Sequence, residues 1–498
     1  MRVYRDMHRI RLAILPFLLS GCFGAEEFVR PAPPIESRWS APAPSALERD
    51  ARLTRWQEFF PDPRLQALID TALTHNRDLH IAAARLEAAR AEYGLAEAER
   101  WPALKATGSQ NITGMSAELA GEGNDRISRR TDLSVGVVSF EIDLWNRLGS
   151  LSAAQRAQYL ANAAAQRGVR LSLIGEVANT YFSLLDAEER LGLLRETVQL
   201  RQRTLDLIRL AQTTGFASDM ETLTAEGTFE GAKSEVATLE RQQAQARNKL
   251  ALLVGRMPDE LPPGNPLGDQ EVVNNLAAGL PAEVLLARPD VVVAEERLKA
   301  AYASVDAARA AFLPKIMLTA ALGLASGSLS RLLGAGNAAW NFQPSLTLPL
   351  LDGGRTQGQV DVNVARRTEA IAAYEKTLQE AFREVADLLA VRSSLLDQFH
   401  TVARQLNIND QRLQIVEARR EAGVASMLNV LDARREWLAT QQFSLQVRRA
   451  QLENAAQLYK ALGGGELLAG VNAVAARAPA ATADSLVRSA PPTVPGDT

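Results

Sequence analysis

The pattern of apolar and polar positions has a helical period along most of this chain and a period of two in four short segments. Most of the sequence is rich in alanine, leucine, arginine, glutamine and glutamate, which favour helix. In four short segments every second residue is apolar instead, as in "NFQPSLTLPL" at 341–350. A period of two is typical of a β-strand with one apolar and one polar face. The pattern therefore predicts a mainly helical protein with a small β part.

The four alternating segments come in two pairs, which predict one β-hairpin at about 103–144 and another at about 315–350. Segments of about ten residues with this alternation are typical of transmembrane β-strands, although each one alone is a weak signal. The alternative is two ordinary hairpins half buried against helices. Pro344 and Pro349 argue against a central strand at their own positions. The predicted apolar positions are Leu104, Ala106 and Ile112; Val138, Phe140, Ile142 and Leu144; Ile316, Leu318, Ala320, Leu322 and Leu324; and Phe342, Leu346, Leu348 and Leu350.

The chain contains the same unit twice. The segment "RLEAARAEYGLAEAERWPAL" at 85–104 returns as "RLKAAYASVDAARAAFLPKI" at 297–316, and 177–215 aligns without a gap with 385–423. Each unit predicts a helix, a β-hairpin, a long helix and a return helix. We expect repeat 1 at 61–255, an inter-repeat equatorial segment rich in proline and glycine at 256–289, and repeat 2 at 290–462.

The long helix of each unit is predicted to end at a tight turn. From about 146 to 213 the composition favours helix throughout, which at about 1.5 Å per residue would give a helix of about 100 Å. Gly215 suits the left-handed position that ends a helix, and Ser218 with Glu221 predicts a capping box. The second unit keeps the glycine and the serine but changes the third residue, as Gly423, Ser426 and Asn429.

The N-terminus predicts export and lipidation. Four arginines precede the apolar run "LAILPFLL" at 12–19, as in a signal peptide, which we place at 1–21. The following "LSGC" at 19–22 resembles the bacterial lipobox, so Cys22, the only cysteine, is the expected attachment site of lipid such as palmitate. The alternative is a chance cysteine after a signal peptide. Residues 22–60 would form an extended, lipid-linked segment, and 463–498 a flexible C-terminal tail.

Composition and motifs give no support to an enzyme or a nucleic-acid-binding protein. The net charge is −3 and the pI about 6.0, so a basic surface that would attract nucleic acid is not expected. The sequence has no cysteine cluster and no phosphate-binding loop, and its four histidines are poorly spaced to share a metal. We therefore expect no catalytic residues, no cofactor and no metal site.

If the four strands cross a membrane, one chain is not enough. An open sheet edge cannot lie in lipid, and small barrels need about eight strands. Several copies would each contribute four strands to one barrel. Since the polar faces would then point inward, the assembly would enclose a water-filled passage.

Several separate motifs, in order, resemble the outer-membrane efflux factors of the TolC family, and specifically their nodulation-type lipoprotein branch. They are "WQEFFPDPRLQALIDTALTHNRDL" at 56–79, "FEIDLWNRLGS" at 140–150, "RPDVVVAEERLKAA" at 288–301, "LPLLDGGR" at 348–355, "LDARREWLATQQ" at 431–442 and "LYKALGGG" at 458–465. The resemblance implies two tandem repeats that build a long α-helical barrel. It also implies four transmembrane β-strands per chain, which form a shared 12-stranded barrel in a homotrimer.

The resemblance also implies a function. The chain would be the outer-membrane exit duct of a tripartite efflux pump, which passively passes small toxic compounds or drugs to the exterior. Its partners would be a periplasmic adaptor (membrane fusion) protein, an inner-membrane RND-type pump and outer-membrane lipid. It would lie in the cell outer membrane, lipid-anchored, and extend into the periplasm. The alternatives are a lipid-anchored periplasmic adaptor or structural coiled coil without a pore, and the exit duct of a type I protein secretion system.

In such proteins the two helical turns form a periplasmic tip that docks the adaptor and is constricted at rest. The positions that match the tip are Gly215, Ala217, Ser218, Gly423, Ala425 and Ser426. The charged run "VEARREAGVAS" at 416–426 precedes the second turn, and its candidates for closing the tip through ion pairs are Glu417, Arg420 and Glu421. The alternative is that these charges only solvate an exposed helix end.

Overall fold

The computed structural model describes most of the chain. The predicted signal peptide, Cys22 and almost all of the C-terminal tail lie outside the residues that it describes. The rest is mainly helical with one small sheet of long strands, which confirms the predicted fold class. The described residues are 28–35, 49–50, 54–116, 126–257, 261–272, 276–277 and 281–465.

Each half of the chain contains a helix, two long strands, a long helix and a return helix. The elements of the first half are β1 Arg49–Asp50, α1 Trp56–Phe59, α2 Pro63–His75, α3 Arg77–Ala98, β2 Leu104–Gly114, β3 Ile127–Glu141, α4 Arg147–Thr213 and α5 Asp219–Val254. Those of the second half are β4 Leu276–Ala277, α6 Pro281–Leu286, α7 Pro289–Ala310, β5 Lys315–Ser326, β6 Ala338–Thr347, α8 Arg355–Glu421 and α9 Met427–Ala461. The short strands β1 and β4 pair in parallel.

The residues divide into two compact units. Unit 1 holds the four long strands, and unit 2 holds the turns between the long and the return helices. The long helices α4 and α8 each have residues in both units. Unit 1 consists of the described parts of Met1–Pro34, Ile81–Gln166 and Asp290–Leu378, and unit 2 of those of Ile35–His80, Arg167–Pro289 and Gln379–Thr498.

The four long strands form one antiparallel sheet in the order β2-β3-β5-β6. Each repeat contributes one hairpin, and β3 pairs with β5 at the junction between them. In one row across the sheet, Leu104 lies opposite Val137, Val137 opposite Ala320, and Ala320 opposite Phe342. Directly opposed residues point to the same face. The register therefore gathers the apolar positions of all four strands on one face.

The apolar face of β3 differs from the prediction at one point. The pairing with β5 shifts between Val137 and Phe140, and Ser139 has a φ of 56°. This is a β-bulge, and its extra residue reverses the phase of the alternation. Val137 therefore shares a face with Phe140, and the placement of Val138 on that face was wrong. The predicted positions Ile142, Leu144, Leu348 and Leu350 lie beyond the ends of their strands.

Two glycines on the polar face allow β3 and β5 to approach closely. A Cβ on Gly323 would lie 2.1 Å from the carbonyl oxygen of Leu133 and 2.6 Å from the Cα of Ser134. A Cβ on Gly136 would lie 2.5 Å from the Cα of Ala321. These neighbours are backbone atoms, which cannot rotate away as a side chain can. Glycine inside a strand often marks such a close approach of two backbones.

Unit 2 has a core of aromatic rings beside a buried carboxylate. Phe59 stacks on Tyr459 with the ring centroids 4.4 Å apart. The carboxylate of Asp62 accepts hydrogen bonds from the backbone N–H of Arg64 at 2.8 Å and from the hydroxyl of Tyr181 at 3.0 Å. Burial, and then the Asp62 carboxylate, raise the pKa of the Tyr181 hydroxyl, which stays a donor at neutral pH. Asp62 therefore caps α2 and ties it to the long helix α4.

We predict that Gly323→Val disrupts the sheet, whereas Gly108→Val is tolerated. The added side chain at Gly323 meets backbone and should cost at least the 1–3 kcal/mol or so that is typical of overpacking. At Gly108 a Cβ would meet only the Cδ1 of Leu133 at 3.8 Å, which is ordinary contact. The yield of folded protein recovered from membranes and its melting temperature measure the difference. Equal yields for both variants would show that the close approach is not required.

Candidate functional site

One face of the sheet is an exposed apolar surface. Trp340 is 78% exposed, Leu322 69% and Leu346 65%. Trp340 and Leu322 lie directly opposite each other on β6 and β5, so their exposed side chains adjoin. A contiguous exposed apolar surface of this kind marks contact with lipid or with another molecule.

The opposite face of the sheet is hydrophilic. Arg130 donates from its Nε to both carboxylate oxygens of Asp132, at 2.9 Å each. Hydroxyl and amide groups dominate the remainder, so this face suits contact with water. By register its polar members include Lys105, Thr107, Ser109, Asn111 and Thr113 of β2, Ser128, Arg130, Asp132 and Ser134 of β3, and Asn341, Gln343, Ser345 and Thr347 of β6.

The sheet has two open edges. Among the described residues, strands β2 and β6 each pair on one side only. An edge strand presents a row of unpaired N–H and C=O groups, to which another strand can add. Pro344, which has no N–H, lies in β6 opposite Leu318, at an edge of this chain's sheet and not in its centre.

Both turns between a long and a return helix have the same backbone geometry. Gly215 and Gly423 have φ values of 79° and 75°, in the left-handed region that favours glycine. The residue after each glycine, Phe216 or Val424, donates its N–H to the carbonyl oxygen five residues earlier at 2.8 Å. This is the Schellman motif, and it satisfies carbonyl groups at the helix end.

Each return helix begins with a capping box. The hydroxyl of Ser218 accepts from the N–H of Glu221 at 3.3 Å, and the Glu221 carboxylate accepts from the N–H of Ser218 at 2.7 Å. The backbone N–H of Ser218, and then its hydroxyl at 2.9 Å, donate to the Glu221 carboxylate and lower its pKa. Ser426 and Asn429 make the same two contacts at 3.3 and 3.0 Å. An amide oxygen thus replaces the carboxylate, and the second turn keeps its cap.

Apolar side chains are exposed at the same place in both turns. Phe216 is 88% exposed and Val424 65%, and each directly follows its turn glycine. Single exposed apolar residues are common, but here both turns carry one at the same position. These turns contain all of the predicted tip positions, namely Gly215, Ala217, Ser218, Gly423, Ala425 and Ser426.

One of the three gate candidates belongs to an ion-pair network. The carboxylate of Glu417 on α8 lies 3.9 Å from the guanidinium of Arg434 on α9. Arg434 also binds Glu196 on α4 through a short, charged hydrogen bond. The network of Glu417, Arg434 and Glu196 therefore joins three helices. The other two candidates, Arg420 and Glu421, are exposed and make no side-chain ion pair with the part of the chain that is described.

A pair with reversed charges occupies the equivalent place in repeat 1. Residues 208 positions apart are equivalent, as Gly215 and Gly423 are, so Arg209 corresponds to Glu417 and Glu226 to Arg434. The side chains of Arg209 and Glu226 are 3.1 Å apart. The sequence analysis did not predict a role for Arg209, Glu226 or Arg434, because charged residues are common along these helices. The gapless alignment of the two repeats could have found them, since it places opposite charges at both equivalent positions.

Buried leucines hold Arg434 between its two carboxylates. Leu200 of α4 packs with Leu431 and Leu438 of α9. Leu413 of α8 packs with Val430 on the same return helix. Because α9 contacts both long helices in this way, the side chain of Arg434 reaches carboxylates on both.

Phe28 and Arg30 are held against α7 in unit 1. The ring of Phe28 lies edge-on to Tyr302 with the centroids 5.6 Å apart, and Arg30 donates to Glu295 at 2.9 Å. Lys299 lies 5.5 Å from the centre of the Phe28 ring and 3.0 Å from the Glu295 carboxylate. Burial works to raise the pKa of Glu295, but hydrogen bonds from Arg30 and Lys299 outweigh it and leave the pKa below its usual value. This part of the segment predicted to be extended and lipid-linked is therefore fixed by specific contacts.

Within the described ranges, no helix combines the length and the apolar character needed to cross a membrane. The same residues include no group of three histidine, cysteine or acidic side chains placed to hold a metal ion. The ring Nδ1 of His75 lies 3.2 Å from the carbonyl oxygen of Thr71 on its own helix, and His400 lies on α8.

Both repeats match one family model, described as "Outer membrane efflux protein", over residues 68–256 and 280–464. The chain is 37% identical to the solvent efflux pump outer membrane protein SrpC of Pseudomonas putida over 454 residues, which are 90% of this chain and 96% of that protein. It is 36% identical to the cation efflux system protein CusC of Escherichia coli K12 over 460 residues, 91% of this chain and 99% of that one.

The fold is shared with a solved outer membrane channel. The open state of MtrE from Neisseria gonorrhoeae superposes with a TM-score of 0.80 at 35% identity, covering 89% of this chain and 98% of MtrE. The chain thus matches these proteins over nearly their whole length.

We predict that the contacts of the N-terminal segment depend on pH through Glu295. Because its folded pKa is lowered, their stabilisation is complete above the ordinary value of 4.5 and is lost as the pH falls through the folded pKa. Hydrogen exchange of residues 28–35 should accelerate over that acid range. Arg30→Gln should accelerate it at neutral pH as well, whereas Arg55→Gln, whose partner Glu58 is exposed, should not. Unchanged exchange in Arg30→Gln would show that the ion pair does not hold the segment.

Proposed function

Because this chain belongs to the outer membrane efflux protein family, we propose that it is the outer-membrane exit channel of a tripartite efflux pump. One observation carries the proposal: the chain presents an open four-stranded sheet with an exposed apolar face and a hydrophilic face. Such a sheet suits lipid on one side and water on the other. The channel is passive, and the inner-membrane partner supplies the energy.

The working form in this proposal is a homotrimer. Inside lipid every backbone N–H and C=O needs a partner, so the open edges of β2 and β6 must pair with strands of neighbouring copies. Three chains of four strands each form one 12-stranded barrel, which is larger than the eight-stranded barrels that side chains fill. The polar faces of the strands line its lumen.

The partners are a periplasmic adaptor (membrane fusion) protein and an inner-membrane RND-type pump. The two turns dock the adaptor, and the exposed side chains of Phe216 and Val424 supply its apolar contacts. Three chains with two turns each present six similar sites, which suits a ring of adaptor hairpins. The turn positions concerned are Gly215, Ala217, Ser218, Gly423, Ala425 and Ser426.

The cargo in this proposal is small toxic compounds or drugs. Relatives are named for the efflux of solvent, toluene, antibiotics and cations. The hydroxyl and amide groups on the polar face of the strands suit the passage of varied solutes better than the selection of one. We therefore assign selectivity to the inner-membrane pump.

The protein lies in the cell outer membrane, and we propose that Cys22 carries the lipid after the signal peptide at 1–21 is removed. The contacts of Phe28 and Arg30 support this role, since they fix the chain only a few residues after Cys22. One or more acyl chains there would add to the hold of the barrel on the membrane.

The resting channel is closed at the turns in this proposal, through Glu417, Arg420 and Glu421. The contact of Glu417 with Arg434 supports a role for ion pairs near this end of the helices. An exposed ion pair contributes only about 0–1 kcal/mol. Closure therefore needs several pairs, repeated in the three copies.

We expect the purified protein to form discrete conductance steps in planar lipid bilayers and to migrate as a heat-sensitive oligomer on unheated gels. Cys22→Ser should lose the lipid but keep the barrel, so that it still conducts once it is reconstituted. A protein that stays soluble and monomeric as Cys22→Ser, and never conducts, would contradict the channel and favour an adaptor without a pore.

Neutralising the three gate candidates together, as Glu417→Gln, Arg420→Gln and Glu421→Gln, should raise the conductance of single channels or the time they spend open. The matched control neutralises Arg195 and Glu240, which pair at 3.0 Å between α4 and α5. Conductance that rises in neither protein, or equally in both, would remove these residues from the gate.

A further inference from the structure

A polar cavity of about 430 Å³ lies in unit 2, between the long helix α4 and the return helices α5 and α9. Its volume falls within the range of sites that bind small molecules. Most of its polar lining comes from Asp186 and Arg190 on α4, Gln242 and Gln245 on α5, and Gln446 and Arg449 on α9.

Asp186 holds two arginines side by side at this cavity. Its side chain is only 1% exposed, and its Oδ2 accepts hydrogen bonds from the Nη1 of Arg190 at 3.3 Å and of Arg449 at 3.2 Å. The Oδ1 of Asp186 and the Nε of each arginine are buried without a hydrogen-bond partner. Unsatisfied buried polar groups are rare in native proteins and call for an explanation. Each guanidinium group thus keeps donors that the described part of the chain does not use.

Glu453 places a second carboxylate beside the same cavity. Its Oε1 accepts from the hydroxyl of Ser183 at 3.0 Å and lies 3.5 Å from the Nε of Arg449, and both of these residues line the cavity. The side chain of Glu453 is 31% exposed. Together with Asp186 and Arg190 the cluster contains two positive and two negative charges, so its formal charges balance.

We propose that this cavity binds a small zwitterion, a solute that carries a carboxylate and an ammonium group. The carboxylate accepts from the guanidinium groups of Arg190 and Arg449, and the ammonium donates to Glu453. A cluster without net charge favours a ligand without net charge. An anion alone would leave Glu453 without a partner, and a cation alone would face the two arginines.

The fold does not require the charges of this cluster. The positions of repeat 2 that are equivalent to Asp186 and Arg190, 208 residues further on, are Ser394 and Gln398. The long helix α8 has 67 residues, as α4 has, without these charges. Because a buried ion pair costs free energy to desolvate, it is weak evidence for a role in stability. Its presence in one repeat only therefore favours a role in binding.

The cavity and the inter-repeat segment lie on different faces of α9. Gln446, Arg449 and Glu453 are three and four residues apart, so they share one face of the helix. Arg448 lies outside that face and donates to the carbonyl oxygen of Gln270 in the inter-repeat segment at 2.6 Å. The cavity is therefore on a side of α9 that the inter-repeat segment does not cover.

In the proposed channel this side of α9 is the inner one, a step that rests on the proposed function. The carboxylate of Asp62 accepts from the N–H of Asn265 at 3.2 Å, which joins the inter-repeat segment to the part of the chain that follows the lipid-linked N-terminus. Because a lipid anchor lies outside a barrel, we place the inter-repeat segment on the outside and the cavity at the lumen. A solute that passes must leave as readily as it enters, so we expect weak binding.

L-Glutamine and two of its derivatives test the zwitterion contact. The probe amide can pair with the side-chain amides of the cavity, since those of Gln242, Gln245 and Gln446 make no hydrogen bond with the described residues. N-Acetyl-L-glutamine lacks the ammonium and L-glutaminamide lacks the carboxylate. Each should bind about 10-fold more weakly than L-glutamine, because it loses a charged hydrogen bond. Titration followed by saturation-transfer NMR, on the purified full-length protein in detergent, measures the three affinities. Equal affinities, or no binding of L-glutamine, would overturn the site.

Two variants separate the two contacts. Glu453→Gln should weaken the binding of L-glutamine about 10-fold and leave that of N-acetyl-L-glutamine unchanged, because only the ammonium contact is lost. Arg190→Gln should weaken the binding of both, since both carry the carboxylate. In that variant Arg449 still pairs with Asp186, so α4 and α9 remain joined. A Glu453→Gln protein that binds L-glutamine as tightly as the parent would contradict the proposed ammonium contact.

The matched control is Arg247→Gln. It removes another arginine that pairs with α4, through Glu188 at 3.0 Å, but that does not line the cavity. This variant should bind the three probes as the parent does. Circular dichroism and migration on unheated gels show whether each variant folds and assembles. An equal loss of binding in folded Arg247→Gln and Arg190→Gln would overturn the assignment of the cavity.

Failure of this site can be told apart from failure of the channel. A protein that conducts but does not bind L-glutamine overturns the site and leaves the channel. A protein that binds the three probes as expected but never conducts supports the site and overturns its place at a lumen. In a conducting channel, L-glutamine should lower the single-channel conductance of the parent more than that of Glu453→Gln.

Discussion

The need to pair every backbone N–H and C=O group in lipid determines most of this structure. Among the described residues of one chain the sheet stops at β2 and β6, and its apolar face, with Trp340 and Leu322, stays exposed. These residues cover neither the open edges nor the apolar face. In the proposed trimer, other copies add strands at the edges and lipid covers the outer surface. Oligomerisation is then, in that proposal, a condition for the folded strands and not a later event.

The helices meet a different requirement, because they must be stable in water. Their stability comes from buried stripes such as Leu200 with Leu431, and from ends closed by local hydrogen bonds. Because Gly215 and Gly423 adopt the left-handed conformation, the backbone of each turn forms its own hydrogen bonds. The neighbouring side chains of Phe216 and Val424 are therefore not needed for the turn itself. They remain available to a partner.

Local signals made most of the fold predictable. Period two identified the strands, glycine with a following serine identified the turns, and ordered motifs identified the family, which the match at 68–256 and 280–464 confirms. The bulge at Ser139 was missed because one inserted residue leaves each short stretch of alternation intact. Arg434 was missed because its partners come from two other helices, and only tertiary packing brings them together.

The reversed charges give the two halves of the chain distinct identities. A duplicated sequence starts with two halves that can replace each other, so a return helix of one copy could invade the place of its twin. Here α9 carries Arg434, which binds Glu196 on α4, and α5 carries Glu226 at the equivalent position. If α5 took the place of α9, Glu226 would face Glu196, a like charge. During assembly, repulsion between like charges therefore disfavours an exchange of helices that a perfect repeat would permit.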